Sequence, residues 1–476
     1  MVPIVVAVFL LLSLSALIRP RFGYLYSLST AGVPHSLPEV DFHLNRSGQE
    51  LESAYCNARF SPRYLEELRD TSIDYCSPES PSNLTCFHSH TQPNDDRDSF
   101  CFAQSAVLDP TSRRFNVFCD ARSPNSNESA RGIVPLNRIR GYWYNTGPGY
   151  VLNHHVSVKS ESPLTPPSHV PSDDRPITIL VKREGAFNIW HSLMEIWSVT
   201  MSLDVLRLSQ DLSRPDRALF QIPEDTPKTQ IVLLDDHPEG PLFDLWRAFS
   251  GREPVRFSKI LDDPAQAQVF VETPQNLVLP LAGGSNPLWQ NDWEDRDCKE
   301  APLLRLFTRR VMHHFSARFD SGPRKAKALN VTLINRTASR RLLGLGNLLG
   351  AAMEKFPGVN FQVFDFGDMS FVEQLRVVQS TDVLVGVHGA GLTHTMFLRE
   401  GAAAVVEIQP SILSHKGFRN LAQMLGQKYF STHAEMVEPE GQGVAKRDLW
   451  HSADVRIEKE AFLELVGKSI DSLEKR

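Results

Sequence analysis

From residue 177 onward, short apolar runs alternate with stretches of helical periodicity, and this rhythm limits the fold more than any other feature of the 476-residue chain. "ALNVTLINR", "VNFQVFDF", "VLVGV", "AAAVVEIQ" and "KYFST" read as strands. Between them "RRLLGLGNLLGAAMEKF", "SFVEQLRVVQSTD", "LTHTMFL" and "HKGFRNLAQMLG" read as helices. Strands that alternate with helices form βαβ units, since a parallel strand is reached only by a long crossover. An earlier series of the same kind runs through "ITILVK", "AFNIWHSLMEIWSVTMSLDVLRL", "QIVLLDD" and "PLFDLWRAFSG". "PLLRLFTRRVMHHFSARF", 302–319, is an amphipathic helix suited to bridging the two. The expectation is an α/β fold with two Rossmann-type domains, 177–320 and 321–455, facing a cleft and closed by a helix at 456–476. No internal repeat is visible.

The first 176 residues differ in texture. Residues 1–22 contain an apolar run, Val2 to Ile18, at the short limit for a spanning helix. An uncleaved signal anchor is preferred to a cleaved signal peptide, because no small-x-small cleavage site precedes Arg19. Residues 23–55 read as a stem, and 56–176 as a cysteine-bearing section with a Pro/Ser-rich linker at its end. Five of the six cysteines, Cys56, Cys76, Cys86, Cys101 and Cys119, crowd this section, with Cys298 apart. An even count without paired metal spacing points to disulfides. Sequons stand at Asn45, Asn83, Asn127, Asn330 and Asn335. Together these features place the chain in the secretory lumen, endoplasmic reticulum or Golgi. Arg19 and Arg21 follow the apolar run and by the positive-inside rule alone oppose that orientation. The net charge of −6 excludes a whole-surface case for nucleic acid.

The stretch "GVHGAGLTH", Gly386 to His394, follows the apolar strand directly. Ligands of parallel sheets sit beyond the carboxyl ends of strands, at the amino ends of helices. Glycines Gly389 and Gly391 in that turn let backbone N–H groups approach a phosphate, with Thr393 adding a hydroxyl and His388 and His394 able to donate or to hold the turn. The other reading is an ordinary tight turn. Glu407, near the end of the next strand, can take two sugar hydroxyls or serve as a solvated carboxylate. Arg336, Arg340 and Arg341 follow the first strand of this half, and at most two of them are expected on a pyrophosphate, Arg336 and Arg341 first.

In the first half Asn188, His191 and Glu195 share one helix face. His191 is a candidate general base oriented by Glu195, against the alternative of a satisfied histidine in a partly buried helix. Asp236 is the next candidate base. Asp235 and Asp236 after a strand can also be caps, and no third metal ligand accompanies them, so no metal is assigned. His154–His155 and His313–His314 lack a ligand pattern.

"FNIWHSLMEIW", "INRTASRRLL" and "GVHGAGLTHTMFL…AAVVEIQP" together resemble glycosyltransferase family 61. The resemblance covers about residues 95 to 475 and is strongest from 327 to 432. It implies a GT-B-like pair of domains and inverting transfer from a UDP-sugar donor, without an obligatory metal or cofactor. The nucleotide would lie against Arg336, Arg341, His388, Gly389, Gly391, Thr393 and Glu407. UDP-N-acetylglucosamine is the first-choice donor, and serine or threonine hydroxyls of secretory-pathway proteins, or glycans, the acceptors. Gly344 stands where relatives usually have asparagine, and "SLEKR" is not a retention tail, so donor and acceptor stay open. A xylosyltransferase acting on glycans and a non-catalytic carbohydrate-binding relative are the alternatives. "HGAG" also suggests a lipase oxyanion loop, but no G-x-S-x-G elbow occurs.

Overall fold

The computed structural model describes residues 52–90, 97–160, 175–211, 214–290, 292–317, 322, 328–437 and 450–474. The expected signal anchor, most of the stem, Asn45 and most of the Pro-rich linker lie outside them. Among the described residues no helix is long and apolar enough to cross a membrane.

The first half contains β1 (Ile73–Asp74), β2 (Asn83–His88), β3 (Ser99–Asp109), β4 (Arg114–Phe118), β5 (Val156–Lys159) and β6 (Ile177–Val181). It continues with β7 (Gln210–Asp211), β8 (Arg214–Ala218), β9 (Thr229–Leu233), β10 (Val255–Arg256) and β11 (Gln275–Leu279). β11, β6, β9 and β10 are parallel neighbours in that order. β3 lies antiparallel against β11, β2 against β3 and β1 against β2, while β4 and β5 extend from β3. β7 and β8 form a separate hairpin.

This corrects the division of the chain at residue 176. The cysteine-bearing section supplies strands to the same nine-stranded sheet as the βα units that follow it. Its identity is hidden in the sequence because Phe102 pairs with Val278 and Ala103 with Leu277, a contact that local periodicity does not encode. All six cysteines are joined, as Cys76–Cys119, Cys86–Cys101 and Cys56–Cys298. The last of these ties residue 56 to the segment before the Pro302–His314 helix.

The second half holds β12 (Asn330–Asn335), β13 (Asn360–Asp365), β14 (Val383–Val387), β15 (Ala404–Pro410), β16 (Lys428–Val437) and β17 (Asp454–Arg456). The order is β13-β12-β14-β15-β16-β17, parallel except for the edge strand β17. β14 and β15 are buried throughout, as strands covered on both faces must be, which is why they read as unbroken apolar runs. Chain order reverses between β12 and β14, so the crevice beyond their carboxyl ends is the switch point where such sheets take ligands.

The Ile189–Leu208 helix is buried on nearly all sides, at 17 of its 20 residues. Trp197 stacks on Phe307 of the Pro302–His314 helix, at 5.4 Å between ring centroids. Asp204 of the same long helix takes a two-pronged bond from Arg310, at 2.6 and 2.8 Å, both groups buried. One hydrophobic core runs from Leu193 and Ile231 of the first half to Leu384, Leu392 and Phe397 of the second. The helices between the sheets therefore fix the two sets of strand ends relative to each other.

Candidate active site

Two imidazole–carboxylate pairs and one pair of arginines stand at the strand ends of the two sheets. In the first half, β6 ends at Val181 and is followed by Arg183 and Glu184. Arg183 donates to Asp235 from its backbone N–H at 2.8 Å and from its guanidinium at 2.8 Å, both side chains being buried. That ion pair joins the turns after β6 and β9, and it accounts for Asp235. Glu184 is then aimed at the helix that begins at Ile189, capped by Asn188, whose side chain accepts from the Trp190 N–H at 3.1 Å. Its carboxylate meets Nδ1 of His191 at 2.7 Å. Glu184 is fully covered and the His191 ring is about a quarter exposed, so the free edge of the ring opens to the surface.

Glu184, not Glu195, therefore orients His191. Three and four residues separate neighbours on one helix face, but Glu195 turns inward and accepts the Glu184 N–H at 2.6 Å. Gly283 closes over it: a Cβ there would lie 2.7 Å from the Glu195 Cγ. Burial, and then the neighbouring Glu184 charge, push the Glu195 carboxyl well above the usual range. A carboxyl with a raised folded-state pKa binds its proton more tightly folded than unfolded, so stability falls as pH rises above the unfolded value of about 4.3. Glu195→Gln is expected to relieve this. Its melting temperature relative to the native chain should increase from pH 5 to pH 8. A difference that stays flat across that range means the carboxyl is ionised in the fold.

Asp236 is displaced from this group. It is exposed, accepts a hydrogen bond from Ser258 at 2.7 Å, and lines a different cavity. The signal that would have found Glu184 is its place, three residues beyond the carboxyl end of the parallel strand β6.

In the second half, Arg336 follows β12 and Gly389 follows β14, on the two sides of the switch point. Gly389 has φ +147° and ψ −177°, a backbone region open essentially to glycine alone. A Cβ there would also stand 2.8 Å from Nη1 of Arg336 and 3.0 Å from Cζ of Arg340. Arg340 donates to the His388 carbonyl at 3.0 Å, and Arg336 Nε to the Ser339 carbonyl at 2.9 Å. Neither has a carboxylate within ion-pair distance among the described residues, and Nε of Arg340 is buried without a partner. Burial lowers the Arg336 guanidinium, partly offset by Asp365. Burial and the adjacent Arg336 lower Arg340 to about 10, so both remain charged. Two half-buried cations that press on one bare glycine make a site for an oxyanion.

The expected pair was Arg336 with Arg341. Arg341 instead holds Asp454 at 2.6 and 3.0 Å, pinning β17, and its side chain is more than half exposed. Arg340 takes its place because its backbone is left-handed, φ +53°, which swings the side chain toward His388. A sequence of three arginines within six residues gives no sign of that turn.

Glu407 is also reassigned. It is fully buried, one oxygen at 2.5 Å from Nδ1 of His388 and the other accepting from the Tyr429 hydroxyl at 2.5 Å. Both oxygens are used, so it orients His388 and is not free for sugar hydroxyls. Burial lowers the His388 imidazole, and Glu407 partly offsets this. His394 lies in the core beside Phe366 and Phe371, lowered to about 4 by burial, and holds the Gly391 carbonyl at 2.9 Å. Thr393 is fully buried, and its hydroxyl has no partner among the described residues. Gly391 packs closely on Ile334, with 3.1 Å left for a Cβ. These three hold the turn from within.

Contacts connect the two groups. His191 lies 4.4 Å from the Trp289 ring, and Trp190 meets Phe418 edge-on at 5.5 Å. Asp292, three residues beyond Trp289, binds Nε2 of His415 at 3.0 Å, and the His415 ring lies 4.8 Å from His388. Trp143, Tyr144, Phe187 and Trp293 are exposed, and Tyr144 and Trp293 lie beside His191 and His415. None of Trp289, Asp292 and His415 was singled out by sequence.

The family model described as glycosyltransferase 61 matches residues 289–406, which include the arginine pair and the glycine turn. The EGF domain-specific O-linked N-acetylglucosamine transferase of Drosophila melanogaster is 28% identical over 269 residues, 56% of this chain and 47% of that protein. Its counterpart in Canis lupus familiaris is 29% identical over 219 residues, 45% and 40% respectively. That of Rattus norvegicus is 31% identical over 178 residues, 36% of this chain and 32% of that protein. The chain spans less than half the length of these curated relatives. A flavodoxin-like domain from Synechococcus aligns with 29% of the chain at 12% identity and a TM-score of 0.19.

Proposed function

We propose, from the match of residues 289–406 to the glycosyltransferase 61 family model, that the chain transfers a sugar, N-acetylglucosamine from UDP-N-acetylglucosamine first, to serine or threonine hydroxyls of secretory-pathway proteins. The observation that carries this reading is the pair of unneutralised guanidiniums at Gly389, on the switch point of a parallel sheet. The donor's pyrophosphate binds there, and the sugar points toward the first half, as in a GT-B arrangement. Arg336 and Arg340 also stabilise the charge that grows on the leaving phosphate. His388, held by Glu407, presents its other ring edge to the same region. His191, held by Glu184, accepts the acceptor's hydroxyl proton, and the oxygen attacks the anomeric carbon from the face opposite the leaving group, inverting it. No metal is needed for this charge balance.

Screening UDP-sugars for binding and transfer with the purified protein tests the reading. UDP-N-acetylglucosamine should bind, and UDP should compete. Absence of UDP affinity makes the fold a non-catalytic relative; preference for UDP-xylose selects the xylosyl alternative.

Lumenal residence is supported by the three disulfides and by the relatives' assignment to EGF-domain glycosylation. Expressed in a secretory host, the chain should carry a glycan at Asn127, which is exposed, and contain no free thiol. Asn330 donates to the Ser380 carbonyl at 2.8 Å and should remain unmodified. Peptide mapping with thiol labelling reads both, and an unmodified Asn127 with six reactive thiols places the chain in the cytosol.

A further inference from the structure

A second cavity, of about 430 Å³, shares no residue with the cleft described above. Three separate elements converge on it. The turn from β3 to β4 brings Arg113 and Arg114, the end of the Gly147–His155 helix brings Tyr150, His154 and His155, and the chain after β9 brings Asp236. Neither arginine is in an ion pair among the described residues. Asp236 is the one carboxylate in the lining, and it is engaged by Ser258 at 2.7 Å. Nδ1 of His155 is buried without a hydrogen-bond partner among the described residues, its ring set edge-on to Phe257 at 5.8 Å. Burial, and then the charges of His154, Arg114, Lys182 and Arg113, lower that ring to about 4.

The backbone adds an independent observation. Arg113 has φ +56°, a left-handed conformation that a glycine would adopt without strain. An arginine at such a turn is disfavoured relative to glycine, and it keeps a guanidinium on the cavity's rim. Excess positive charge, a partnerless buried imidazole nitrogen and aromatic walls define a ligand that is small, anionic and partly apolar.

We infer that this cavity is a second ligand site, for a tetrahedral oxyanion carried on a sugar-sized body, such as a sugar phosphate or sugar sulfate. The oxyanion lies between Arg113, Arg114 and the two imidazoles, and the ring of the sugar lies against Tyr150 and Phe257. Binding raises the affinity of His155 for its proton, so by linkage affinity increases as pH falls.

Calorimetry of the full protein with glucose 6-sulfate, glucose 6-phosphate and glucose tests this. The sulfate ester keeps its charge between pH 5 and 8, so any pH dependence belongs to the protein. Saturable binding is expected for both esters and none for glucose, tighter at pH 5 than at pH 8 for the sulfate. The order of the two esters tells which oxyanion the site prefers. Arg113→Ala with Arg114→Ala should weaken binding at least about tenfold, and Arg340→Ala should leave it unchanged. Arg113→Gly, which relieves the left-handed strain, is the variant that keeps the fold if the double variant does not. No saturation by about 10 mM, equal affinity in Arg113→Gly and native protein, or loss of binding in Arg340→Ala instead, overturns the assignment.

Discussion

Arg340→Ala is expected to weaken UDP binding by about ten- to a hundredfold, and Arg336→Ala by a similar factor, while Arg341→Ala leaves it near the native value. A charge-assisted bond to a phosphate oxygen is worth about 1.5–3 kcal/mol, which sets the range. Both guanidiniums press on Gly389 without a carboxylate partner among the described residues, whereas Arg341 is committed to Asp454. The transfer rate should fall further than the affinity, by roughly 10²–10³, if the same groups hold the leaving phosphate's charge. Gly389→Ala should abolish binding by a different route. Its backbone at φ +147° excludes a side chain, and the methyl group would enter the space of both arginines. Isothermal titration with UDP, alongside a melting curve to establish folding, distinguishes these outcomes. An Arg341 variant that loses UDP while Arg340→Ala keeps it would move the phosphate to the β17 side of the turn.

His191→Ala is expected to leave UDP affinity intact and to lower the transfer rate by roughly 10²–10⁴, the usual contribution of a positioned base. The donor's anchors lie on the other half, so the loss should appear in kcat and not in nucleotide binding. Glu184→Gln should lower kcat at least about tenfold by releasing the ring from its orientation, as with other imidazole–carboxylate pairs. Glu195→Gln should cost much less, because it touches the backbone of Glu184 and not the ring. A folded His191→Ala protein that transfers at the native rate excludes the residue, and the search then passes to His388 and His415.

The turn after β14 was legible because its chemistry is local. An apolar strand followed at once by glycines marks the carboxyl end of a parallel strand, which singled out Gly389, and Arg336 was singled out as a guanidinium at the end of the first strand of this half. Helix-face spacing reached His191, since Asn188, His191 and Glu195 fall on one face. Local spacing failed for the surroundings of Glu195 and Glu407. Both are fully covered by neighbours distant in sequence, Gly283 in one case and Tyr429 in the other.

By itself the sequence determined the alternation of strands and helices, the parallel sheets, the presence of disulfides and the glycine turn, because each follows from spacing within a few residues. Only the tertiary structure decided that Arg340 and not Arg341 joins Arg336 at the turn, through a left-handed backbone at Arg340. It alone decided that β3 joins β11, so that the cysteine-bearing section completes the first sheet. It alone chose Glu184 as the partner of His191. Partner choice depends on burial and on the pairing of distant segments, and a one-dimensional pattern of polarity contains neither.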